Sequence, residues 1–376
     1  MTQDDQLEYA WALPSAAEIH AEALFRSWIV ETGAYLPRVE EIARQFWSSA
    51  GRLTTSSRGM SLEDLIGVAR SAGYDLVRMR RFPDSHVFLR AYTNFRSKEI
   101  FLNEDFFETP PNGDWSDIEP RARFDLAHEL GHIILGHPVR TRHECETVED
   151  LLNYQKEEWL ANYFAGALLM DEHRTRETLR RTRYSIGALA DEFRVTLHTA
   201  AHRLLVVSRQ DELIFRFVQV GRVPSLRDGQ ESVRVLKSYA ANADIFPAPA
   251  TGSFACKEWV VCKSLETRKP MNGFAVFRDR SFYEKLFVMS QFIPAHPLSQ
   301  RLRDLGLMEI DTAISIGCSP QMLDVIDGSP GEEVYSESTV GHECTVRCPS
   351  FSTCAKTDDE LMARIVQEDL DRGYTE

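Results

Sequence analysis

The sequence has no long apolar run. Nowhere in its 376 residues do apolar side chains approach the roughly 20 consecutive positions that a membrane-spanning helix requires. The first six residues, Met1 to Gln6, are acidic and lack the basic start and apolar stretch of a signal peptide. These absences predict a cytoplasmic protein with no membrane partner.

Basic residues are outnumbered by acidic ones. The chain carries 43 Lys and Arg against 57 Asp and Glu, a formal net charge of -14. Because non-specific affinity for nucleic acid comes from Lys and Arg, this balance argues against a large permanent DNA-binding surface. The hydrophobic fraction of 43% and charged fraction of 27% are typical of a folded globular protein. At this length, we expect two or three domains.

Cysteine is scarce in the first two thirds of the chain, where Cys145 stands alone. A reducing compartment keeps cysteines as free thiols and argues against a disulfide framework, so the grouping of the later cysteines predicts a metal site. The expected ligands are Cys318, Cys344, Cys348 and Cys354, and Cys256 can replace one of the four. Four thiolates suit a structural zinc or an iron–sulfur cluster, and the spacing leaves both open.

Hydrophobic periodicity predicts a mainly helical first part with a small sheet. The predicted helices cover 16–50 (interrupted at Pro37), 61–69, 121–135, 150–170, 185–193 and 197–207, and the predicted strands cover 75–79, 87–92 and 99–103. After residue 210 the pattern changes to short strand-like runs broken by Gly and Pro. We therefore expect an α+β chain with a domain boundary near residue 210.

The strongest motif is the H-E-x-x-H pattern on the helix predicted over 121–135. His128 and His132 are four residues apart, so both imidazoles lie on one helix face and can bind one ion. Glu129 lies beside that ion without needing to be a ligand, where it can act as a general base. Zinc lowers the pKa of its bound water toward about 7, which gives a nucleophile at neutral pH.

A catalytic zinc needs a third protein ligand and one open position. The helix predicted over 150–170 carries Glu157 and Glu158, followed by small residues such as Ala161 and Gly166 that permit close helix packing. Glu158 is the favoured third ligand, and Glu157 stays open as the alternative.

These segments resemble the ImmA/IrrE family of metallopeptidases. The resemblance rests on Phe124 to His132, on Glu158 to Met170, and on the order of helices and strands over 16–170. It implies a thermolysin-like zinc core with Glu129 as base, and cleavage of a helix-turn-helix repressor that releases a stress response. Two positions depart from the family pattern, Leu160 in place of a second acidic residue and Asp171 in place of proline.

Three further residues near the motif have open roles. His137 can stabilise an oxyanion or bind substrate, or interact with the dipole of its helix. Tyr163 is a second oxyanion candidate, with core packing as the alternative. A thiolate at Cys145 can fill the open zinc position and keep the enzyme latent, although free cysteines are usually small buried hydrophobes.

Residues 186–204 resemble a helix-turn-helix, which suits either DNA contact or packing beside the peptidase.

Residues 250–356 resemble the sensor domain of short-chain fatty acyl regulators through Ala255 to Trp259, Ile316 to Cys318 and the terminal cysteines. That resemblance implies a GAF-like domain. The whole arrangement is similar to CapP-type proteases of bacterial CBASS antiphage systems, which cleave a partner repressor after DNA damage with single-stranded DNA as the signal.

Together these patterns predict a metallopeptidase domain over 1–175, a helix-turn-helix-like linker over 176–210 and a GAF-like sensor domain over 211–376. The expected function is a regulated zinc endopeptidase that cleaves a helix-turn-helix repressor to induce a stress or antiphage response. Single-stranded DNA or a small molecule is the expected activator. The alternative is a DNA-binding transcription regulator that senses a ligand through its cysteine-rich domain.

Overall fold

The computed structural model describes most of the chain up to residue 318. The described residues are 16–32, 35–49, 59–83, 86–87, 89–107, 120–138, 144–208, 214–224, 231–240, 249, 255, 258–279, 282–295, 300–304, 310–318 and 334–336. They fall into two compact units. The first contains residues 1–215, 293–310 and 321–328, and the second contains residues 216–292, 311–320 and 329–376.

The first unit is helical with one small sheet. Its helices are α1 (Ala16–Thr32), α2 (Pro37–Ser49), α3 (Leu62–Ser71), α4 (Pro120–Leu135), α5 (Val148–Leu169), α6 (Glu172–Arg181), α7 (Ile186–Phe193), α8 (Leu197–Ser208) and the short α10 (Gln300–Asp304). Its strands are β1 (Leu76–Arg80), β2 (Ala91–Asn94) and β3 (Glu99–Asn103), in the order β1-β3-β2. β1 is parallel to β3 and β2 is antiparallel to it.

Local sequence signals explain several of these boundaries. Ser61 caps α3 and Thr147 caps α5, each through a capping box with the aspartate three residues later. The strand predicted over 87–92 begins later than expected. The reason is that the Nδ2 group of Asn103 donates to the carbonyls of Val87 and Leu89, which replaces ladder hydrogen bonds there.

The second unit is built on a six-stranded sheet. Its strands are β4 (Ile214–Pro224), β5 (Glu231–Ala240), β6 (Met271–Asp279), β7 (Phe282–Ile293), β8 (Thr312–Cys318) and β9 (Val334–Ser336), in the order β5-β4-β8-β7-β6-β9. Helix α9 (Trp259–Thr267) contacts β6 and β8. Two long antiparallel hairpins, β4 with β5 and β6 with β7, make up most of the sheet.

The core of the second unit joins its sheet to α9. It contains Val218, Val220, Val235, Ala255, Val261, Leu265 and Ala313. A buried ion pair between Arg216 and Glu258, with Nη1 and Oε2 3.0 Å apart, ties β4 to the start of α9. The α+β class is confirmed, whereas the GAF-like assignment stays a prediction.

Helices α4 and α5 are in direct backbone contact in the first unit. A Cβ atom added at Gly131 would lie 2.9 Å from Cα and 3.0 Å from the carbonyl oxygen of Ala161, which is fully buried. Only glycine on one helix and a small residue on the other allow this approach. The contact lies one residue from His132 and three from Glu158, so it sets the spacing between the two sides of the expected metal site.

A buried ion pair attaches the helix-turn-helix-like segment to this core. Arg203 of α8 binds Glu40 of α2, with Nη2 and Oε2 2.8 Å apart, and donates through Nε to the carbonyl of Met170. Burial raises the pKa of the Glu40 carboxyl, but the Arg203 guanidinium outweighs that effect and leaves the pKa lowered. Glu40 is therefore ionised at neutral pH, and breaking the pair would leave a buried charge without its partner.

Arg123 makes a second link, between α4 and the turn after α7. Its Nη1 donates to the carbonyls of Phe193 and Arg194, and its Nη2 donates to the carbonyl of Met60. Burial lowers the pKa of Arg123 to about 10, so it stays charged at neutral pH. The helix that carries the H-E-x-x-H motif is thus bound to the C-terminal end of α7.

The contact between α4 and α5 generates a prediction. Gly131→Ala should destabilise the first unit by about 1–3 kcal/mol, because the new methyl group overlaps backbone atoms that cannot move independently. It should also weaken metal binding by separating Glu158 from the histidines. Thermal unfolding and zinc titration of the full chain would measure both effects.

Gly67→Ala is the matched control for that substitution. Gly67 also lies within a helix, but an added Cβ there has no neighbour within 4 Å. The control should keep wild-type zinc binding and gain about 0.4–1 kcal/mol of stability. Equal behaviour of the two variants would contradict the role given to the Gly131 contact.

Candidate metal centre

Helices α4 and α5 bring two imidazoles and one carboxylate together. The Nε2 atoms of His128 and His132 are 3.0 Å apart. Nε2 of His128 lies 3.4 Å from Oε2 of Glu158, and Nε2 of His132 lies 3.4 Å from Oε1 of the same carboxylate. Among the described residues, these three form the one group of at least three His, Cys, Asp or Glu side chains able to hold a metal ion. Glu157 is not part of that group.

The observed separations fit a tetrahedral zinc ion. Zinc binds imidazole nitrogen and carboxylate oxygen at roughly 2.0–2.2 Å, so tetrahedral ligands stand roughly 3.3 Å from one another. Two histidines and one glutamate are also a donor set found in catalytic zinc sites, which leave one position open. The residues present therefore fit zinc in both distance and chemistry.

Charge in this group favours a bound cation. Burial raises the pKa of Glu158, but hydrogen bonds from His128 and His132 outweigh it and leave the pKa well below its usual range. Burial lowers the pKa of His128, and Glu158 more than compensates, so the pKa is raised. Glu158 is therefore an anion at neutral pH, and a metal ion would compete with the imidazole proton for it.

Glu129 is held by the small sheet rather than by the metal group. The hydroxyl of Thr93, which is buried on β2, donates to Oε2 of Glu129 at 2.6 Å. This hydrogen bond fixes one carboxylate oxygen and leaves the other to accept a proton. Sequence reasoning did not find Thr93, because it lies 36 residues before its partner and belongs to no local motif.

Two side chains outside the motif helix, those of Asn162 and Arg90, bind to it and orient it. Nδ1 of His128 lies 3.0 Å from Oδ1 of Asn162, which follows Glu158 by one helical turn. Asp125, one turn before Glu129, forms an ion pair with Arg90 at 3.0 Å. Burial raises the pKa of Asp125, and Arg90 opposes that rise. The i,i+4 spacing of Glu158 and Asn162 was a signal in the sequence that could have predicted the Asn162 contact.

The structure gives Tyr163 a role in packing. Its hydroxyl donates to Oε1 of Glu40 at 2.8 Å and accepts from the backbone amide of Leu36 at 3.0 Å. Leu36 directly precedes α2 and Glu40 lies in its first turn, so the hydroxyl binds the start of a neighbouring helix, in line with the packing alternative. Cys145 is half-buried just before α5, and its latch role stays a prediction.

The expected cysteine site is described at one position. Cys318 is fully buried at the end of β8, where its thiol donates to the carbonyl of Phe287 at 3.4 Å. Burial raises the pKa of this thiol to about 12, which disfavours the thiolate that a metal requires. The other expected ligands, Cys256, Cys344, Cys348 and Cys354, lie outside the described residues, so this site stays a prediction.

None of the described helices combines the length and the apolar character that crossing a lipid bilayer would require.

Comparison with known proteins finds a family match, a similar protein sequence and solved structures of similar fold. Residues 116–205 match the family model of the IrrE N-terminal-like domain, peptidase family M78. A propionyl-CoA carboxylase regulator of Cereibacter sphaeroides is 28% identical over 158 residues, which span 39% of this chain and 30% of that protein. The chain thus matches under a third of that relative's length.

A transcriptional regulator of Mycobacterium tuberculosis has a similar fold. Its solved structure matches with a TM-score of 0.56 and 18% identity, over 82% of this chain and 84% of that one. At this identity the likeness concerns the fold alone. The range that matches the IrrE-like model contains His128, Glu129, His132 and Glu158, and over that range the chain is similar to the IrrE-like metallopeptidases.

Proposed function

We propose that this chain is a regulated zinc endopeptidase. The observation that carries the proposal is the convergence of His128, His132 and Glu158 with separations that suit one zinc ion. The similarity of residues 116–205 to IrrE-like peptidases supports the same reaction class.

The metal and the side chains around it have separate roles in the proposed reaction. When bound, zinc supplies a Lewis acid that activates water and polarises the scissile carbonyl. Glu129 accepts the proton of the attacking water and delivers it to the leaving amine. Thr93 fixes the carboxylate of Glu129 during both transfers through the 2.6 Å hydrogen bond. Asn162 holds the ring of His128 through its Nδ1.

The proposed substrate is a helix-turn-helix repressor, cleaved after DNA damage to induce a stress or antiphage response. Support comes from the resemblance to signal-gated proteases, from the similarity of residues 116–205 to the IrrE-like domain and from the similarity to a propionyl-CoA carboxylase regulator. The second unit, with its sheet and α9, is the proposed GAF-like sensor, and the C-terminal cysteines form its proposed zinc or iron–sulfur site. Single-stranded DNA or a small metabolite is the proposed activator.

The alternative, a DNA-binding regulator that senses a ligand, would use α7 and α8 as its helix-turn-helix. Those helices already contribute to internal packing. Arg203 of α8 forms an ion pair with Glu40, and Arg123 donates to the carbonyls at the end of α7. These contacts favour the packing role for the segment.

Glu129→Gln tests the proposed reaction. Co-expression with a helix-turn-helix repressor of the proposed substrate class should show damage-dependent loss of the intact repressor with the wild type. The variant should be slower by roughly 10²–10⁴-fold, because it keeps the shape of Glu129 but cannot accept a proton. Immunoblotting of the repressor measures the outcome, and equal cleavage by both proteins would refute Glu129 as the base.

Thr93→Val tests the hydrogen bond to the base. Valine keeps the shape and strand preference of threonine but removes the donor, so the cleavage rate constant should fall roughly 10- to 100-fold, as expected for a bond to a charged group worth about 1.5–3 kcal/mol. KM and zinc affinity should be unchanged. Thr93→Ser is the matched control, since it keeps the hydroxyl and should restore most of the rate. A valine variant as fast as the wild type would contradict the role of Thr93.

A further inference from the structure

Helix α4 ends in a specific backbone conformation about one turn after His132, the second histidine of the H-E-x-x-H motif. Gly136 has a left-handed φ of 70°, its amide donates to the carbonyl of Ile133 at 3.3 Å, and the amide of His137 donates to the carbonyl of His132 at 3.0 Å. These two bonds define a Schellman motif. The motif brings the side chain of residue 137 against that of residue 132.

In Schellman motifs this contact is frequently between two apolar side chains. Here both members are histidines. Their Nδ1 atoms are 3.0 Å apart, and their rings meet edge to face with centroids 5.0 Å apart. His132 directs its other nitrogen, Nε2, toward His128 and Glu158. Nδ1 of His132 thus faces His137, whereas Nε2 faces the metal group.

The proton between the two Nδ1 atoms can be assigned by chemistry. In one arrangement, His137 donates to Nδ1 of neutral His132, whose own proton then resides on Nε2 and blocks metal binding. In the other, Nδ1 of His132 donates to His137, and the lone pair of Nε2 is free for the ion. Only the second arrangement is compatible with the proposed zinc site.

We propose that His137 is a positioning residue for the metal ligand His132. Nδ1 of His137 accepts a hydrogen bond from the Nδ1–H group of His132, and this bond fixes both the tautomer and the angle of the His132 ring. The inference rests on the proposed zinc site and adds to it a requirement for the helix stop at Gly136. His137 itself is not a member of the three-residue metal group among the described residues. It does for His132 what Asn162 does for His128.

A pair of substitutions separates hydrogen bonding from packing. His137→Phe keeps an aromatic ring against His132 but has no acceptor, and should raise the zinc dissociation constant by roughly 10- to 100-fold, the usual loss when such a partner is removed. His137→Asn places an oxygen where Nδ1 stood and should bind zinc within a few-fold of the wild type.

The measurement is competition for zinc between the full-length protein and a chromophoric chelator. His132→Ala is run in parallel, so that any zinc held by the C-terminal cysteines is subtracted. Wild-type affinity in His137→Phe would overturn the inference, as would equal weakening in His137→Phe and His137→Asn. A wild type that binds no more zinc than His132→Ala would instead overturn the proposed function, and the inference with it.

Two further measurements guard against a variant that fails to fold. Gly136→Ala leaves both histidines in place and meets no neighbouring atom, but strains the left-handed backbone. It should weaken zinc binding in the same direction. Nitrogen-15 NMR of the zinc-loaded wild type should show His132 protonated at Nδ1, and an unprotonated Nδ1 would overturn the inference without any substitution.

Discussion

The candidate site depends on one close contact between two helices. Gly131 of α4 lies against the backbone of Ala161 of α5, and a single added carbon there would fall 2.9 Å from a Cα atom. Because the two histidines belong to one helix and Glu158 to the other, the distance between the helix axes decides whether three ligands can share one ion. Side chains larger than these would hold the carboxylate away from the imidazoles.

Around this contact, each polar group of the site is held by a different element. Thr93 of β2 fixes Glu129, Asn162 of α5 fixes His128, and His137, two residues after the end of α4, fixes His132. Contacts within the protein therefore position the residues of the candidate site, which is what the proposed proton transfer and the proposed metal ligation require. This arrangement requires buried charged side chains such as Arg123 and Arg203, whose desolvation costs free energy and which also tie α7 and α8 to the same core.

The sequence predicted the parts of this arrangement that are local. The spacing of His128 and His132, the cap at Ser61 and the small residues near Ala161 all act within one or two turns of a helix. Thr93 escaped prediction because its contact joins a strand to a distant helix. His137 was noticed, but its role depends on a backbone motif at Gly136 that spacing alone does not specify. The late start of β2 arose from a long-range side chain, Asn103, that satisfies the carbonyls before it.

The most direct test of the account is anomalous diffraction at the zinc edge from crystals of the zinc-loaded full-length protein. The expected result is a zinc peak bound by Nε2 of His128, Nε2 of His132 and a carboxylate oxygen of Glu158, at roughly 2.0–2.2 Å from each. Asn162 and His137 should contact the outer nitrogens of the two rings. A zinc ion bound elsewhere in the first unit, or bound through Glu157, would contradict it.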